Sequence, residues 1–425
     1  MTFKWLPDAE FDPHPRLAWL IECGFDLVVS TLYRKEKMLP PGYRLEPGTL
    51  IVSNHQRDSD VPVLTTVLCR REGVHIRWPL PFFVMREDLL QPHTLGNLLA
   101  EWPQPLPTLL GSIPLAWLFR IIRGEPMRRL REFSFGETLN SLLDAGLGAA
   151  DPVTVFNNRG RREITAALGK LPLRLDQIDP RRLGKLRQSF WGLRRLRVAS
   201  LQILKPEFRT TIAAQLARFA ALLDAGRTVY FAPEGTISGT GKFGRIRIGT
   251  RRLYRLAAHP PPLLPLALSY DPLGPGRLRV IVHVGEALRN LDSSGERIFA
   301  VGLRHAIQRL YAVNPSHLIA HFLTAGPATF TTQEFAAWLR RAAATVSAAG
   351  FTLDPVLARS APETLATERL AWLKRKKLVA REPAHWHNRY SRDAAPGWRK
   401  PPNVVRYLAN ALEDLAPELV RNLGP

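Results

Sequence analysis

The pattern with the clearest chemical potential is a histidine followed five residues later by an aspartate. His55 and Asp60 come directly after residues 49–52, an apolar run that predicts a strand. Histidine, with an unperturbed pKa of about 6.5, suits a general base near neutral pH. If a helix begins near Asp58, the Asp60 carboxylate can fold back onto the imidazole and fix its tautomer. Alone, this spacing is a common coincidence, and a histidine at a strand end is usually structural.

A second polar segment follows another strand candidate, residues 228–231. It begins with Pro233 and Glu234, and a glycine-rich run carrying Lys242 and Arg245 succeeds it. Loops of this kind present backbone N–H groups and cations to a phosphate. The glycines at 239, 241 and 244 also spell a dinucleotide fingerprint, which we reject because the strand ends several residues earlier and no acidic residue follows about 20 residues on.

Together the two motifs, in this order and each after a strand, resemble the glycerophosphate acyltransferase superfamily. The closest branch is the lysophosphatidic acid acyltransferases (1-acyl-sn-glycerol-3-phosphate acyltransferases), and the resemblance covers roughly residues 33–285. The family's first block, Asn-His-x-x-x-x-Asp, is matched by Asn54, His55 and Asp60. Its third block, Phe-Pro-Glu-Gly-Thr-Arg-Ser, is matched by Pro233, Glu234, Gly235, Thr236 and Ser238. Its fourth block, an apolar strand around a proline, resembles residues 263–267.

The chain departs from the family pattern at substrate-binding positions. Ala232 replaces the usual phenylalanine, and Ile237 stands where an arginine is usual, so that Lys242 or Arg245 would have to replace the lost charge. The second block, a glycine followed by an apolar pair and an arginine, fits segment 124–128 loosely, with Arg128 as the substrate arginine. Segment 111–120 is its rival.

The resemblance implies an α/β fold with a mixed sheet flanked by helices, and transfer of a fatty acyl group from acyl-coenzyme A or acyl-acyl carrier protein to a lysophosphatidic-acid-like acceptor. His55 would be the general base and Asp60 would orient it, with no metal or cofactor. The implied substrate-binding residues are Arg128, Glu234, Gly235, Thr236, Lys242 and Arg245. Alternatives are a glycerol-3-phosphate, ornithine-type or other lyso-lipid acyltransferase, or an inactive basic protein that binds membrane or RNA on the same scaffold.

The charge balance indicates an anionic partner. With 59 Lys and Arg against 37 Asp and Glu, the formal net charge is +22, which attracts anionic lipid, nucleic acid or acidic carriers, unless the composition merely reflects an arginine-rich proteome. We expect an anionic membrane surface besides the acyl donor and the lyso-lipid acceptor. Nucleic acid is not expected, because the arginine-rich stretch 157–205 has only Phe190 and Trp191 as interleaved aromatics.

The predicted organisation has three parts: an amphipathic N-terminal segment (1–34), an α/β domain (35–290) with a basic insertion at about 157–205, and a helical C-terminal region (296–425). Acidic residues at 8, 10 and 12 argue against a signal peptide, and two cysteines are too few for a disulfide framework. Segments 17–33 and 102–122 are apolar but interrupted by acids or prolines. We therefore expect a protein on the cytoplasmic side of the membrane, peripheral or shallowly inserted.

Further elements must position the two motifs. Strands are predicted at 81–85, 153–156, 263–269 and 278–284. The periodicity predicts a helix over 210–225, ending at Gly226, and a capping box of Thr331 and Glu334 predicts one that extends through Val346. Strands alternating with helices indicate an α/β domain with its site at the strand ends.

Overall fold

The structure, a computed structural model, divides into two compact units. Residues 1–83 and 220–425 form the first unit, and residues 84–219 form the second. It describes residues 15–57, 59–68, 71–72, 75–76, 81–86, 123–127, 133–179, 182–184, 186, 193–289, 291, 295–391 and 403–423. Within these ranges, no helix is both long and apolar enough to cross a bilayer.

Seven strands form a mixed sheet, as the sequence predicts, in the order β1-β9-β8-β2-β7-β5-β6. The β8–β9 pair is antiparallel, whereas β1–β9, β2–β8, β2–β7 and β5–β7 are parallel. The strands are β1 (Tyr33–Met38), β2 (Leu50–Ser53), β3 (Arg71–Glu72), β4 (His75–Ile76), β5 (Phe82–Arg86), β6 (Gly124–Met127), β7 (Val229–Phe231), β8 (Leu263–Asp271), β9 (Leu278–Val284), β10 (Thr329–Phe330), β11 (Val379–Arg381) and β12 (Trp386–Asn388). The pair β3–β4 and the trio β10-β12-β11 form small separate sheets.

Helices make up most of the remaining described chain. They are α1 (Pro15–Leu32), α2 (Asp60–Leu68), α3 (Phe135–Leu142), α4 (Pro152–Val155), α5 (Asn158–Leu168), α6 (Val198–Asp224), α7 (Ile248–Leu256), α8 (Gly295–Leu310), α9 (Pro315–Ala325), α10 (Thr332–Ala348), α11 (Pro355–Arg359), α12 (Pro362–Arg375), α13 (Val404–Leu415) and α14 (Pro417–Leu423). A π-helical turn, Leu143–Leu147, continues α3.

The central strands are mostly apolar because they are covered on both faces. Every residue of β2 and of β8 is buried, a pattern typical of strands packed between helical layers. Since β2 and β7 are parallel neighbours, their carboxyl ends lie at the same edge of the sheet. The two chemistry-bearing segments follow these two strands and are therefore brought together.

One strand prediction is wrong, and the other strand predictions are confirmed within a few residues. Segment 153–156 forms helix α4 instead of a strand, because Asp151 caps its first turn and Pro152 occupies the first helical position. The helix predicted over 210–225 is longer, beginning at Val198. The capping box of Thr331 and Glu334 opens α10 as expected.

A buried ion network joins the sheet to the C-terminal helices. Arg369 on α12 donates two bonds, of 2.9 and 2.7 Å, to Asp271 at the end of β8. Arg279 on β9 contacts the same carboxylate, and also pairs with Glu36 and Asp354. Burial alone would raise the pKa of Asp271, but the charge of Arg369 holds it below its usual value.

Candidate functional site

His55 and Asp60 form a hydrogen-bonded pair at the carboxyl end of β2. The distance from His55 Nδ1 to Asp60 Oδ2 is 2.9 Å. Asp60 is the first residue of α2 and is completely buried, whereas the His55 side chain is 20% exposed. The contact expected between ring and carboxylate is therefore present, while the catalytic roles of both residues stay predictions.

Both oxygens of the Asp60 carboxylate accept hydrogen bonds. Its Oδ2 atom also accepts the backbone N–H groups of Gln56, at 2.7 Å, and Arg57, at 3.0 Å. Its Oδ1 atom accepts the hydroxyl of Tyr270 at 2.6 Å. These bonds fix the oxygen that faces His55 Nδ1, so the neutral ring carries its proton on Nδ1 and its lone pair on Nε2.

Asn54 ties the same loop to the neighbouring strand. Its side-chain amide donates to the carbonyl of Leu268 and accepts from the Leu268 N–H, both at 2.8 Å. The side chain thus replaces two ladder bonds at a point where β2 has ended, and it sets the direction in which His55 leaves the sheet. A buried amide with both groups satisfied is a rigid anchor.

Glu234 joins the two motifs. Its Oε1 atom accepts the backbone N–H of His55 at 3.1 Å, and its Oε2 atom accepts that of Gly244 at 2.6 Å. Burial raises the pKa of the Glu234 carboxyl, against the lowering effect of these two bonds. Glu234 therefore clamps the loop after β7 against the loop that carries His55.

Two glycines of the rejected fingerprint are explained by close contacts. A Cβ atom on Gly244 would lie 2.7 Å from Glu234 Oε2. Gly241 has a φ of +88°, and a Cβ there would overlap the carbonyl of Tyr407 on α13. Gly239, by contrast, has open space where its Cβ would be. Gly241 and Gly244 are thus required for packing around the site rather than for a dinucleotide.

His55 opens onto a cleft that the C-terminal helices complete. Asn54, His55 and Gln56 line one side, and residues of the loop after β7 line another. The remaining wall consists of side chains from α8, its following turn and α13: Ile307, Gln308, Tyr311, Tyr407, Ala411, Asp414 and Leu415. No local spacing in the sequence marks this wall, because its residues lie far along the chain from His55.

Polar side chains of α13 hold the loop after β7, and one of them also pairs with α8. Asp414 accepts the Phe243 N–H at 2.9 Å and two bonds from Arg304, at 2.9 and 2.8 Å. Asn410 donates to the Thr240 carbonyl at 2.8 Å. These contacts hold the loop against α13, which also lines the cleft.

A second set of hydrogen bonds connects the His55 loop to a buried histidine. Gln56 Nε2 donates to the Tyr311 hydroxyl at 2.6 Å, and that hydroxyl lies 3.0 Å from His317 Nε2. The Asn314 N–H donates to His317 Nδ1 at 3.2 Å. Burial lowers the pKa of His317 to about 4.

The other residues expected to bind substrate differ in their position relative to the cleft. Gly235, with a φ of +66°, forms the turn after Glu234, and Thr236 beside it is partly buried. Lys242 lines the cleft and pairs with Glu413 at 3.1 Å, both side chains being about half exposed. Arg245 is exposed and is not among the lining residues.

Several sequence predictions fall outside the described residues. These include Arg128, its rival segment 111–120, the apolar segment 102–122, and Phe190 with Trp191. In the part of the chain that the structure describes, no cluster of three or more His, Cys, Asp or Glu side chains could hold a metal ion.

Comparisons with known proteins assign the chain to no family. No protein-family model matches the chain, and no curated protein matches it in sequence.

Proposed function

We propose that the protein is an O-acyltransferase that moves a fatty acyl group from acyl-coenzyme A or acyl-acyl carrier protein to the hydroxyl of a lysophosphatidic-acid-like acceptor. The observation that carries the proposal is the His55–Asp60 pair at the cleft, 2.9 Å apart and clamped by Glu234 to the second motif. The two blocks in which the sequence resembles acyltransferases thus form one site.

In the proposed reaction, His55 Nε2 takes the proton of the acceptor hydroxyl as its oxygen attacks the thioester carbonyl carbon. The new C–O bond forms while the carbonyl π electrons move to oxygen, giving a tetrahedral oxyanion. Collapse of this oxyanion breaks the C–S bond, and the thiolate leaves with the proton from the His55 imidazolium. Asp60 stabilises that imidazolium through Nδ1, as a carboxylate does in a hydrolase triad.

Recognition of an acceptor phosphate is assigned to Lys242 or Arg245, with Arg128 assisting. Lys242 is the better placed of the first two because it lines the cleft, although it must leave Glu413 to meet a phosphate. Since an exposed ion pair contributes only about 0–1 kcal/mol, a phosphate can compete with it. Lys242→Ala should then raise the acceptor KM and spare the donor KM, and equal use of non-phosphorylated acceptors would point to another lyso-lipid.

The experiment that tests the proposal is a screen of lyso-lipid acceptors with the full chain. Lysophosphatidic acid, glycerol 3-phosphate and a lyso-ornithine lipid would each be offered with palmitoyl-coenzyme A and with palmitoyl-acyl carrier protein. The expected result is acceptor-dependent thiol release together with an acylated product. Absence of product with every pair, from a folded protein, would contradict the proposal and leave a basic binding protein as the interpretation.

Membrane association is proposed with it, at the cytoplasmic surface and without a spanning helix. The net charge of +22 would bring the protein to anionic headgroups, from which the acceptor comes. Binding should require anionic vesicles and weaken with salt, because charges interact over a Debye length of about 8–10 Å at moderate ionic strength.

A further inference from the structure

The hydroxyl of Tyr407 is a buried polar group with no hydrogen-bond partner among the described residues. The residue is only 6% exposed, yet its side chain lines the cleft that contains His55. Buried hydroxyls in native proteins are nearly always bonded, so each exception calls for an explanation. A substrate bound in this cleft would supply a partner for the hydroxyl.

The position of Tyr407 is fixed by its surroundings. It lies in the first turn of α13, which Asn403 caps by accepting the Arg406 N–H at 2.9 Å. Its backbone abuts Gly241, where any larger residue would overlap it. Burial, together with nearby Tyr311 and Asp60, raises the pKa of Tyr407, so the phenol stays protonated and acts as a donor.

We propose that the Tyr407 hydroxyl donates a hydrogen bond to the carbonyl oxygen of the acyl thioester and stabilises the oxyanion that forms there. This inference rests on the proposed acyl transfer. A fixed, buried donor suits an oxygen that gains charge in the transition state, since no reorganisation is needed when the charge develops. No proton moves from Tyr407 in this step, because His55 carries the proton from acceptor to thiolate.

The first test is the kinetics of Tyr407→Phe. Loss of one oxyanion donor lowers kcat by about 10²–10³-fold, and we expect both KM values to stay near those of the wild type. Stability should be unchanged or higher, because the removed hydroxyl has no partner in the protein. A raised acceptor KM with an unchanged kcat, or no kinetic change at all, would overturn the assignment.

Tyr254→Phe is the matched control. Tyr254 is also a buried tyrosine whose hydroxyl has no partner among the described residues, but it packs on Phe299 away from the cleft lining. Its substitution should leave kcat at the wild-type value. An equal loss in both variants would show that tyrosine hydroxyls act through the fold, which contradicts the proposal.

A second test needs no turnover. Palmitoyl-coenzyme A, isotope-labelled at its carbonyl carbon, would be bound to His55→Gln with Tyr407 intact and with Tyr407→Phe added, and its carbonyl stretch recorded by infrared difference spectroscopy. We expect a lower frequency with Tyr407, reversed by the second substitution while binding persists. An unchanged frequency overturns this inference and leaves the proposed function standing. Absence of both acyl transfer and binding would overturn the two together.

Discussion

His55, at the end of β2, and His317, in the first turn of α9, are each held at Nδ1, but by partners of opposite character. His55 Nδ1 lies 2.9 Å from the Asp60 carboxylate, which accepts a hydrogen bond from it. His317 Nδ1 accepts the Asn314 N–H at 3.2 Å, as part of the capping box of α9. The first arrangement leaves a lone pair on Nε2, and the second leaves an N–H there.

The Nε2 atoms therefore have different capacities. His55 Nε2 belongs to a side chain that lines the cleft and can accept a proton. Asp60 would stabilise the positive charge of the ring that results. His317 Nε2 donates to Tyr311 inside the core, where burial lowers the pKa of His317 to about 4 despite the neighbouring Asp271. A carboxylate partner at Nδ1 suits a ring to accept a proton at Nε2, whereas a backbone N–H partner at Nδ1 makes the ring a neutral structural donor.

The largest expected effect is that of His55→Ala. Removal of the proposed general base should lower kcat by about 10²–10⁴-fold while the far-ultraviolet circular dichroism and the thermal midpoint stay near wild type. His259→Ala is the matched control, because His259 is an exposed loop residue outside the cleft lining. Near-normal turnover of a folded His55→Ala variant would remove the distinction between the two histidines.

Asp60→Asn should have the next largest effect. The side-chain oxygen of asparagine can accept the same hydrogen bonds from His55 Nδ1 and from the two backbone N–H groups. Its NH₂ group would then face Tyr270, whose hydroxyl oxygen would accept a hydrogen bond from it. The tautomer is then preserved and only the charge is lost, so kcat should fall by about 10²-fold, less than the ~10⁴-fold that follows a wrong tautomer. Steady-state kinetics at saturating donor measure the change in kcat, and a loss of about 10⁴-fold would contradict this account.

The approach of Asp60 to His55 could be predicted from the sequence because its signals are local. The bond from the His55 N–H to Glu234 was not predicted, since Glu234 was expected only as a substrate-binding residue. His55, Asp60 and Glu234 each follow a strand within a few residues, and parallel strands bring such segments to one edge. The positions of the residues expected to bind phosphate were less predictable. Lys242 reaches the cleft but is paired, and Arg245 faces solvent, because the loop's direction is set by α13 rather than by its own glycines.

The helical wall could not be predicted, because its residues meet His55 only through tertiary packing. Tyr311 and Tyr407 lie on amphipathic C-terminal segments, where the sequence pattern predicts that an aromatic residue packs in the hydrophobic core. His317 follows Asn314 at the capping-box spacing, yet histidine at that position is not the usual Glu or Gln. The wrong strand at 153–156 has a similar cause, since a short apolar run does not distinguish a strand from a helical turn.

His317 should make the free energy of unfolding depend on pH. Its folded pKa of about 4 lies below the usual value of about 6.5, so the unfolded chain takes up the proton first as the pH falls. This contribution is fully favourable above about pH 6.5, decreases as the pH falls toward 4, and is constant below that value. Between pH 7 and pH 5 the loss should be about 2 kcal/mol.

His317→Gln should remove that loss. Glutamine is the usual residue at this capping-box position and can accept the Asn314 N–H in place of Nδ1. Urea unfolding of both proteins at pH 7 and pH 5 measures the difference, since the other titrating groups are common to both. Equal pH dependence in the two would show that His317 is not the buried neutral group described above.

The smallest expected effect concerns the bond that links the two histidine sites, from Gln56 Nε2 to the Tyr311 hydroxyl at 2.6 Å. A neutral hydrogen bond contributes about 0.5–1.5 kcal/mol net, so Gln56→Met and Tyr311→Phe should show a coupling energy of about 1 kcal/mol in a double-mutant cycle. The free energy of unfolding in urea is the measurement, and the pair Gln56→Met with Tyr254→Phe, which share no contact, should be additive. A coupling near zero would mean that Tyr311 and the loop that carries His55 are energetically independent. A coupling near 1 kcal/mol would instead make Tyr311 a support for that loop.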